Sequence, residues 1–101
     1  MNELIPITQK ILEKNGFYFG YTSYEEDMMS TVGMSTEKGW VWDEGAGSVK
    51  IIFPNESYGG TIILSDQNFD RDIDFFFVKT IYVNELQQLM NICRIDKEIV
   101  L

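Results

Sequence analysis

The sequence predicts a single α+β domain over residues 1–101, with an N-terminal helix, an antiparallel meander of about five or six strands, and a C-terminal helix packed on one face of the sheet. Three observations support this class. A chain of 101 residues accommodates one hydrophobic core. Apolar residues recur at helical spacing near the two ends of the chain. Between the ends lie short runs rich in aromatic and β-branched residues, bounded by turn-forming residues.

The opening segment has the pattern of a short helix. Its apolar residues recur at helical spacing: Leu4, Ile7, Ile11 and Leu12. The Thr8 hydroxyl is suited to cap the first turn, and Pro6 stands before the cap, where its missing N–H does little harm. Asn15 and Gly16 are residues that readily end a helix. We therefore expect a helix between Thr8 and Asn15.

The middle of the chain has the composition of a sheet. Six β-type runs are separated by turn residues, at positions 17–24, 28–35, 40–42, 48–53, 61–65 and 72–83. Segments 43–47 and 54–60 have turn chemistry and connect successive runs, so adjacent antiparallel strands are the simplest topology. The acidic segment 66–72 leads into the longest run, which is apolar on both sides. We expect this last strand to be central in the sheet or to be covered on one face by a helix.

The closing segment predicts a second helix. Asn84 is a favourable N-cap, and Gln87 occupies the third position of a capping box. One stripe of this helix is apolar and should pack on the sheet: Leu86, Leu89, Met90 and Cys93. After the helix, residues 98–101 have the composition of a short terminal strand.

The charge balance restricts the class of partner. The chain has 8 basic and 16 acidic residues, a net charge of -8, and basic residues that are spread along the sequence. A nucleic acid or an anionic membrane surface would repel such a chain, so we expect neither as a partner. A basic protein is the charge-matched partner. The alternative is that the acidity only keeps a small protein in solution.

The single cysteine and the absence of targeting patterns predict a location. Cys93 cannot form a disulfide within the chain and is typical of a reducing compartment. The N-terminal residues lack the basic and apolar regions of a signal peptide. No run approaches the ~20 apolar residues that a membrane helix needs. We therefore expect a cytoplasmic protein that does not enter the membrane.

The pentapeptide Asn84–Gln88 has the outline of the HExxH zinc motif. Both histidine positions carry amides, and the chain contains no histidine at all. Since amides are poor zinc ligands, Glu85 has no metal to serve. Its simpler role is that of a carboxylate near the positive end of a helix dipole.

The acidic segment 66–72 resembles part of a calcium loop. Oxygen-bearing side chains stand at alternate positions: Asp66, Asn68, Asp70 and Asp72. Arg71 stands where such a loop needs glycine, and Phe77 stands where it needs glutamate. A solvated acidic loop fits these residues better. The sequence thus predicts no metal ligands and no cofactor.

Catalytic candidates are equally few. Without histidine, acid–base catalysis would need carboxyl groups with displaced pKa values, and nucleophilic catalysis would need Cys93 or an activated serine. Cys93 lies on the predicted apolar stripe, where a cysteine serves as a small buried residue. We therefore expect no catalytic residues and no enzymatic activity.

Three aromatic residues are candidate contacts for a partner. Trp40 and Trp42 point to the same face of their strand, and Tyr58 lies in a predicted loop. Exposed tryptophan and tyrosine are effective anchors at protein interfaces because they bury a large area at a small cost in entropy. The alternative for the two tryptophans is a place in the hydrophobic core.

The two ends of the chain, IPITQKILEKNGF at residues 5–17 and YVNELQQLMNICRIDKEIVL at residues 82–101, resemble short uncharacterised proteins of gut anaerobes and of their phages or mobile elements. The resemblance covers 33 of the 101 residues. It implies a small accessory protein without an established activity. The chain departs from the pattern at Asn84, where histidine is usual, and at Arg94, where glycine is usual. A role of that histidine therefore does not extend to this chain.

Charge and resemblance together predict a non-enzymatic accessory protein of a phage or mobile element that acts through protein–protein contacts. One alternative is an acidic inhibitor, a DNA mimic or an immunity-type protein, which requires its carboxylates to lie on one surface. A second alternative is a small-ligand or cation-binding module, which requires a pocket with convergent polar groups. An open sheet edge would also allow two copies of the chain to pair as a homodimer.

Overall fold

Three helices and five strands make up the regular structure of the described residues. A computed structural model describes residues 4–45, 47–66, 68 and 70–101. The helices are α1 (Gln9–Lys14), α2 (Ser23–Val32) and α3 (Val83–Ile92). The strands are β1 (Tyr18–Gly20), β2 (Gly39–Glu44), β3 (Gly47–Ile52), β4 (Gly60–Asp66) and β5 (Asp72–Phe77). This is the predicted α+β class, with a helix towards each end of an antiparallel meander.

The five strands form one sheet in the order β1-β2-β3-β4-β5, and every neighbouring pair is antiparallel. Each strand therefore pairs with the next one along the chain, as the turn segments predict, and β1 and β5 lie at the edges. The register aligns Trp42 with Val49, and then Val49 with Leu64 and Leu64 with Ile73. Because directly opposed residues point to the same face of a sheet, these side chains form one transverse row.

One face of the sheet, called the inner face, supplies the hydrophobic core. It consists of the side chains that β2 to β5 direct to one side: Trp40, Trp42, Val49, Ile51, Ile62, Leu64, Ile73, Phe75 and Phe77. Leu12 of α1 and Leu86 and Met90 of α3 pack in the same cluster. Ile95 and Ile99 of the C-terminal tail complete it. The two terminal helices and the tail thus cover the inner face together, which confirms the predicted position of the C-terminal helix.

α1 begins and ends where the sequence predicts. Thr8 is its N-cap, and the Thr8 hydroxyl accepts a hydrogen bond from the Ile11 N–H at 3.2 Å. Asn15 is the C-cap, and the chain turns at Gly16. Asn15 is also buried, and its carboxamide donates to the Val100 carbonyl and accepts from the Val100 N–H, both at 2.8 Å. These two bonds fix the C-terminal tail to the end of α1.

The C-terminal tail is not a strand, so the prediction of a strand over residues 98–101 is wrong. In the described residues that follow α3, the chain forms no regular element. The Gln87 side chain of α3 donates to the Lys97 carbonyl at 2.9 Å and accepts from the Ile99 N–H at 2.8 Å. Because Gln87 and Asn15 take up backbone groups of the tail, these groups are satisfied without a strand partner.

α2 replaces a predicted strand. The run 28–35 has β-type composition, yet Ser23–Val32 is helical. The reason is a capping box, in which the Thr22 hydroxyl accepts from the Glu25 N–H at 3.1 Å and the Glu25 carboxylate accepts from the Thr22 N–H at 2.9 Å. Gly33 ends the helix in the left-handed conformation, with φ of 73°. These local signals at both ends outweigh the β propensity of the residues between them.

α3 is present as predicted, but its cap differs. The N-cap is Tyr82 rather than Asn84. The Glu85 carboxylate accepts a hydrogen bond from the Tyr82 N–H at 3.0 Å, so Glu85 takes the role that the sequence assigns to Gln87. An isolated antiparallel bridge between Pro6 and Tyr82 explains the early start. Because that bridge keeps the chain extended up to Tyr82, the helix begins directly after it.

α3 ends in a left-handed residue. Cys93 is the C-cap, and Arg94 follows with φ of 60°. Side chains with a Cβ atom are strained in this conformation, which glycine adopts freely. Arg94 therefore occupies a position where the backbone favours glycine.

β5 is shorter and more peripheral than the run 72–83 predicts. The strand ends at Phe77 and lies at a sheet edge, so the prediction of a central strand is wrong. The alternative holds on one side, because Ile73 and Phe75 pack against the core beneath the helices. The other side is open, and Phe76 there is 72% exposed.

Candidate functional site

The second face of the sheet, called the outer face, differs chemically from the inner face. It consists of the remaining side chains of β2 to β5, which the register sets opposite one another: Val41, Asp43, Ser48, Lys50, Ile52, Thr61, Ile63, Ser65, Asp72, Asp74 and Phe76. Hydroxyl and carboxylate groups stand here where the inner face has aliphatic and aromatic side chains. The outer face is therefore where the sheet can present polar chemistry.

A buried lysine joins α2 to the outer face. Lys50 of β3 is 2% exposed, and its Nζ lies 2.7 Å from the Glu25 carboxylate of α2. Lys50 also donates to the Glu37 carbonyl, and to the Thr36 hydroxyl at 3.5 Å. Since an ammonium group has three protons to donate, these three partners satisfy it. Lys50 therefore ties α2 and the segment after it to the centre of the sheet.

Glu25 is held in its charged form. Burial works to raise the pKa of its carboxyl, but hydrogen bonds from Lys50, the Thr22 N–H and Thr36 outweigh burial and hold the pKa below its ordinary value of 4.5. The Thr36 hydroxyl donates at 3.0 Å to the same oxygen that Lys50 contacts, and the Thr22 N–H donates to the other oxygen. Both oxygens are thus engaged within the chain, and Glu25 is an anchor for α2.

Two adjoining clefts lie between α2 and the outer face. The larger cleft has a volume of about 520 Å³ and the smaller about 270 Å³. Thr22, Tyr24 and Ser48 line both, so the clefts form one continuous depression. Met34 and Ile63 add apolar lining to the larger cleft. The depression therefore combines hydroxyl groups with an apolar portion that can accept an aliphatic chain.

Acidic residues from one helix and three strands converge on these clefts. They line the larger or the smaller cleft: Glu25, Asp72 and Asp74 in the larger, and Asp43, Glu44 and Asp66 in the smaller. Among the described lining residues Lys50 alone is basic, and it is already paired with Glu25. The two spaces together, called the acidic clefts, therefore carry an excess of negative charge.

Neutral donors hold two of these carboxylates in place. The Asp43 carboxylate accepts from the Ser23 N–H at 2.6 Å, and the Asp72 carboxylate accepts from the Ser65 hydroxyl at 2.6 Å. Such bonds orient a carboxylate without neutralising its charge. The positions of Asp43 and Asp72 are therefore fixed while their charge stays available to a partner.

Nearby carboxylates contribute to a raised pKa at a neighbouring tyrosine, Tyr18. Tyr18 of β1 is paired with Val41 at the β1 edge of the sheet. Burial raises the pKa of its phenol, and the charges of Asp43, Glu26 and Glu25 raise it further. Of these three carboxylates, Asp43 and Glu25 also line the clefts, so Tyr18 lies beside the same negative charges.

The site's residues do not assemble into a metal centre or a reactive thiol. Within residues 4–45, 47–66, 68 and 70–101, no group of three or more acidic or cysteine side chains has the geometry to hold a metal ion. In the loop that resembles a calcium loop, the Asp66 carboxylate accepts from the Asp70 N–H at 2.8 Å. Cys93 is buried, and burial with the charges of Asp66 and Asp72 raises the pKa of its thiol. A protonated thiol is a poor nucleophile.

The three predicted contact residues lie in different surroundings. Trp42 is 5% exposed and belongs to the core, and Lys97 lies over its ring with Nζ 5.0 Å from the centroid. Trp40 is half-buried on the inner face, and its ring meets Phe19 edge-on with centroids 5.6 Å apart. Tyr58 is 76% exposed. Of the three, Tyr58 alone offers most of its side chain to a partner.

An apolar patch adjoins the larger cleft at the other end of β5. It is formed by Tyr58, Phe76 and Val78, and Phe76 and Val78 are 72% and 80% exposed. A groove of about 440 Å³ runs between these side chains and Thr61. Contiguous exposed apolar side chains on a folded domain are typical of an interaction surface.

Sequence patterns alone did not single out the residues that organise the site. Lys50 and Glu25 are 25 positions apart, and no spacing rule connects them. Two signals were nevertheless present. One is a lone lysine inside the apolar run 48–53, and the other is the Thr22-x-x-Glu25 capping pattern.

In the part of the chain that the structure describes, no helix has the length and apolar character needed to cross a bilayer. A comparison with protein-family models, with curated proteins and with solved structures found no match.

Proposed function

We propose that this chain is a non-enzymatic accessory protein that binds a basic protein through its acidic clefts. The observation that supports this proposal is that six carboxylates from α2, β2, β4 and β5 line the acidic clefts, and that among the described lining residues the one basic side chain, Lys50, is already paired with Glu25. Carboxylates spread over a concave surface attract lysine and arginine side chains and orient a partner before contact. The resemblance of the chain ends to proteins of phages and mobile elements, and the single cysteine, favour an accessory role in the cytoplasm.

The lining residues favour binding over catalysis. The chain has no histidine to supply an acid or a base near neutral pH. A carboxyl group can take that role only if its pKa is raised towards neutrality, and the pKa of Glu25 is instead lowered. The donors to Asp43 and Asp72 are a neutral N–H and a neutral hydroxyl, so these hydrogen bonds leave the negative charge of both carboxylates available to a cationic partner. Recognition of a cationic surface is the chemistry that this arrangement supports best.

The same carboxylates favour a second candidate, an acidic inhibitor that mimics DNA. Such a protein occupies the nucleic-acid groove of a basic enzyme, which requires carboxylates on one surface. The grouping of Asp43, Asp66, Asp72 and Asp74 around the acidic clefts agrees with that requirement. Competition separates the two candidates, because duplex DNA would release the partner of a DNA mimic but not a partner that binds through another basic surface.

Affinity capture from a native lysate of the source cells tests the proposal. The bait proteins are the wild type and the double variant Asp72→Asn/Asp74→Asn, which keeps side-chain size but removes two charges. We expect the wild type to retain a reproducible basic protein, and the double variant to retain at least about tenfold less of it, equivalent to ~1.4 kcal/mol. Rising salt concentration should weaken the capture in the same way.

A matched control distinguishes a specific face from net charge. Glu13→Gln/Glu98→Gln removes the same two charges from exposed residues of α1 and the tail, on the layer that covers the inner face. This control should retain the partner. Equal retention by all three baits, or an equal loss in both double variants, would contradict binding through the acidic clefts.

A further inference from the structure

We propose that the partner contacts the outer face with an amphipathic segment, whose cationic end lies on Asp72 and Asp74 and whose apolar end lies on the apolar patch. This inference rests on the proposed function, and it specifies which kind of segment the basic partner must supply. It assigns a binding role to the side of β5 that α2 leaves uncovered.

α2 covers the outer face unevenly. At the centre of the sheet Val41 and Lys50 are 0% and 2% exposed, and Lys50 is paired with Glu25 of α2. Over β5 the cover is missing, since Asp72, Asp74 and Phe76 are all exposed. The open half of the outer face therefore belongs to the edge strand and faces any approaching molecule.

Charge and apolar surface follow one another along this open half. Alternate residues of a strand point to the same face and lie about 6.7 Å apart, so Asp72, Asp74 and Phe76 form a line. Val78 follows in the bend directly after β5. The centre of the acidic pair and the centre of Phe76 and Val78 are four residues apart along the chain, a span of at most ~13 Å. A binding segment must therefore separate its cations from its apolar side chains by a similar distance.

The larger cleft and the apolar patch are continuous on the neighbouring strand as well. Asp74 is directly opposite Ile63, which lines the larger cleft, and Phe76 is directly opposite Thr61, which lines the groove of the patch. One extended segment that follows β5 can therefore contact both. Its cations would meet uncompensated carboxylates, and its apolar side chains would cover Tyr58, Phe76 and Val78.

Charge complementarity favours a cationic partner over a second copy of this chain at the same surface. Two copies meeting at β5 would bring Asp72 and Asp74 of each copy into one interface, and each chain carries a net charge of -8. Like charges in an interface oppose association, whereas arginine or lysine at the same positions would be attracted. The occupant is thus a segment of a different protein, rich in basic and apolar residues.

Three fluorescein-labelled peptides test the inference by fluorescence anisotropy. RRRGLLL places the centres of its arginine and leucine blocks four residues apart, ~13 Å when extended. RLRGLRL has the same composition without that separation, and RRRGSSS has the cations alone. We expect the wild type to bind RRRGLLL at least about fivefold more tightly than RLRGLRL, because only the first peptide matches both parts of the surface at once.

Two variants assign the preference to the proposed residues. Phe76→Ser/Val78→Ser should abolish the preference for RRRGLLL and leave the affinity for RRRGSSS unchanged. Asp72→Asn/Asp74→Asn should weaken all three peptides. Both variants change exposed side chains, and amide NMR spectra verify that each remains folded.

Each outcome has a defined meaning. Equal wild-type affinity for RRRGLLL and RLRGLRL, or a preference that survives Phe76→Ser/Val78→Ser, overturns the inference. If RRRGSSS still binds in a manner sensitive to Asp72→Asn/Asp74→Asn, the proposed function stands without the inference. Failure of every peptide to bind overturns both. A wild-type dimer in light scattering that Phe76→Ser/Val78→Ser converts to monomer would show that a second copy occupies the patch, which also overturns the inference.

Discussion

The two faces of the sheet differ in the contacts that hold their covering elements. The inner face is covered by α1, α3 and the C-terminal tail, and its contacts are apolar side chains packed without solvent. The outer face is covered only in part by α2, a helix with no fully buried residue among those described. α2 is attached there by an ion pair between Glu25 and Lys50 and by hydrogen bonds. Stability is thus concentrated on one face, and the other is left available for binding.

This difference explains why the acidic clefts lie where they do. A cleft needs a covering element that does not pack tightly, and polar contacts hold α2 away from β4 and β5 without filling the space between them. A hydrophobic cover would have closed that space, since apolar burial is roughly proportional to contact area. Because the core lies on the inner face, the outer face can keep exposed carboxylates such as those of Asp72 and Asp74.

The largest effect should come from truncation in the core that α3 forms with the inner face. Leu86→Ala removes a completely buried side chain of α3, and we expect a loss of ~2–5 kcal/mol in the free energy of unfolding. Ile63→Ala on the outer face is the matched control, because Ile63 is only half-buried. It should cost about 1 kcal/mol. Urea unfolding measures both, and equal losses would remove the distinction between the faces.

A smaller effect should come from the anchor of α2. Lys50→Met keeps the aliphatic chain but removes the only charged partner of Glu25 among the described residues and the Lys50 hydrogen bond to the Glu37 carbonyl, so we expect a loss of ~1–3 kcal/mol. Hydrogen exchange should show α2 losing protection before α3 does. Lys38→Met, an exposed lysine nearby in sequence, should change neither quantity. Unchanged protection of α2 in Lys50→Met would show that the helix is held by something else.

The elements of the fold differ in how far the sequence predicts them. α1 and the meander follow from neighbouring residues, such as the Thr8 cap and the turn segment 43–47, and both predictions were confirmed. α2 was missed because β-type composition in run 28–35 concealed a capping box that begins at Thr22. Both results concern signals within a few residues of each other.

The candidate site lay beyond such signals. Asp43, Asp66 and Asp74 meet around one depression only because the register of four strands brings them there. A pairing such as Lys50 with Glu25 depends on how α2 lies across the sheet. Acidic composition led to the prediction of a basic partner, which stays a prediction, whereas the positions of the carboxylates required the three-dimensional structure.

The pH dependence of α2 should be smaller still. Because the pKa of Glu25 is lowered in the folded state, its contribution to stability is complete above its ordinary value of 4.5 and is lost as the pH falls through the lowered value. Wild type should therefore be more stable than Glu25→Gln at pH 7, and the difference should shrink in acid. Urea midpoints of the two proteins between pH 7 and acid measure it. A difference that grows as the pH falls would contradict the assignment.

The smallest effect concerns the end of α3, where the helix passes into the C-terminal tail. Arg94→Gly should raise the free energy of unfolding by up to about 1 kcal/mol, because glycine adopts the left-handed conformation of φ 60° without strain. Arg94→Ala removes the same side chain but keeps the Cβ atom, and should give no such gain. Thermal unfolding of the three proteins compares them. A gain of equal size in Arg94→Ala would place the strain in the arginine side chain instead of the backbone.

An NMR titration of the wild type with the cationic peptide RRRGSSS tests most directly whether the outer face, and not the layer over the inner face, binds a cationic partner. The amide signals of Ser65, Asp72 and Asp74, which lie at the open half of the outer face, should shift progressively as the peptide is added. The amide signals of Glu13 and Glu98, exposed acidic residues in the layer that covers the inner face, should not shift. Shifts of equal size at Glu13 and Glu98, or none at the outer face, would contradict the assignment of binding to that face.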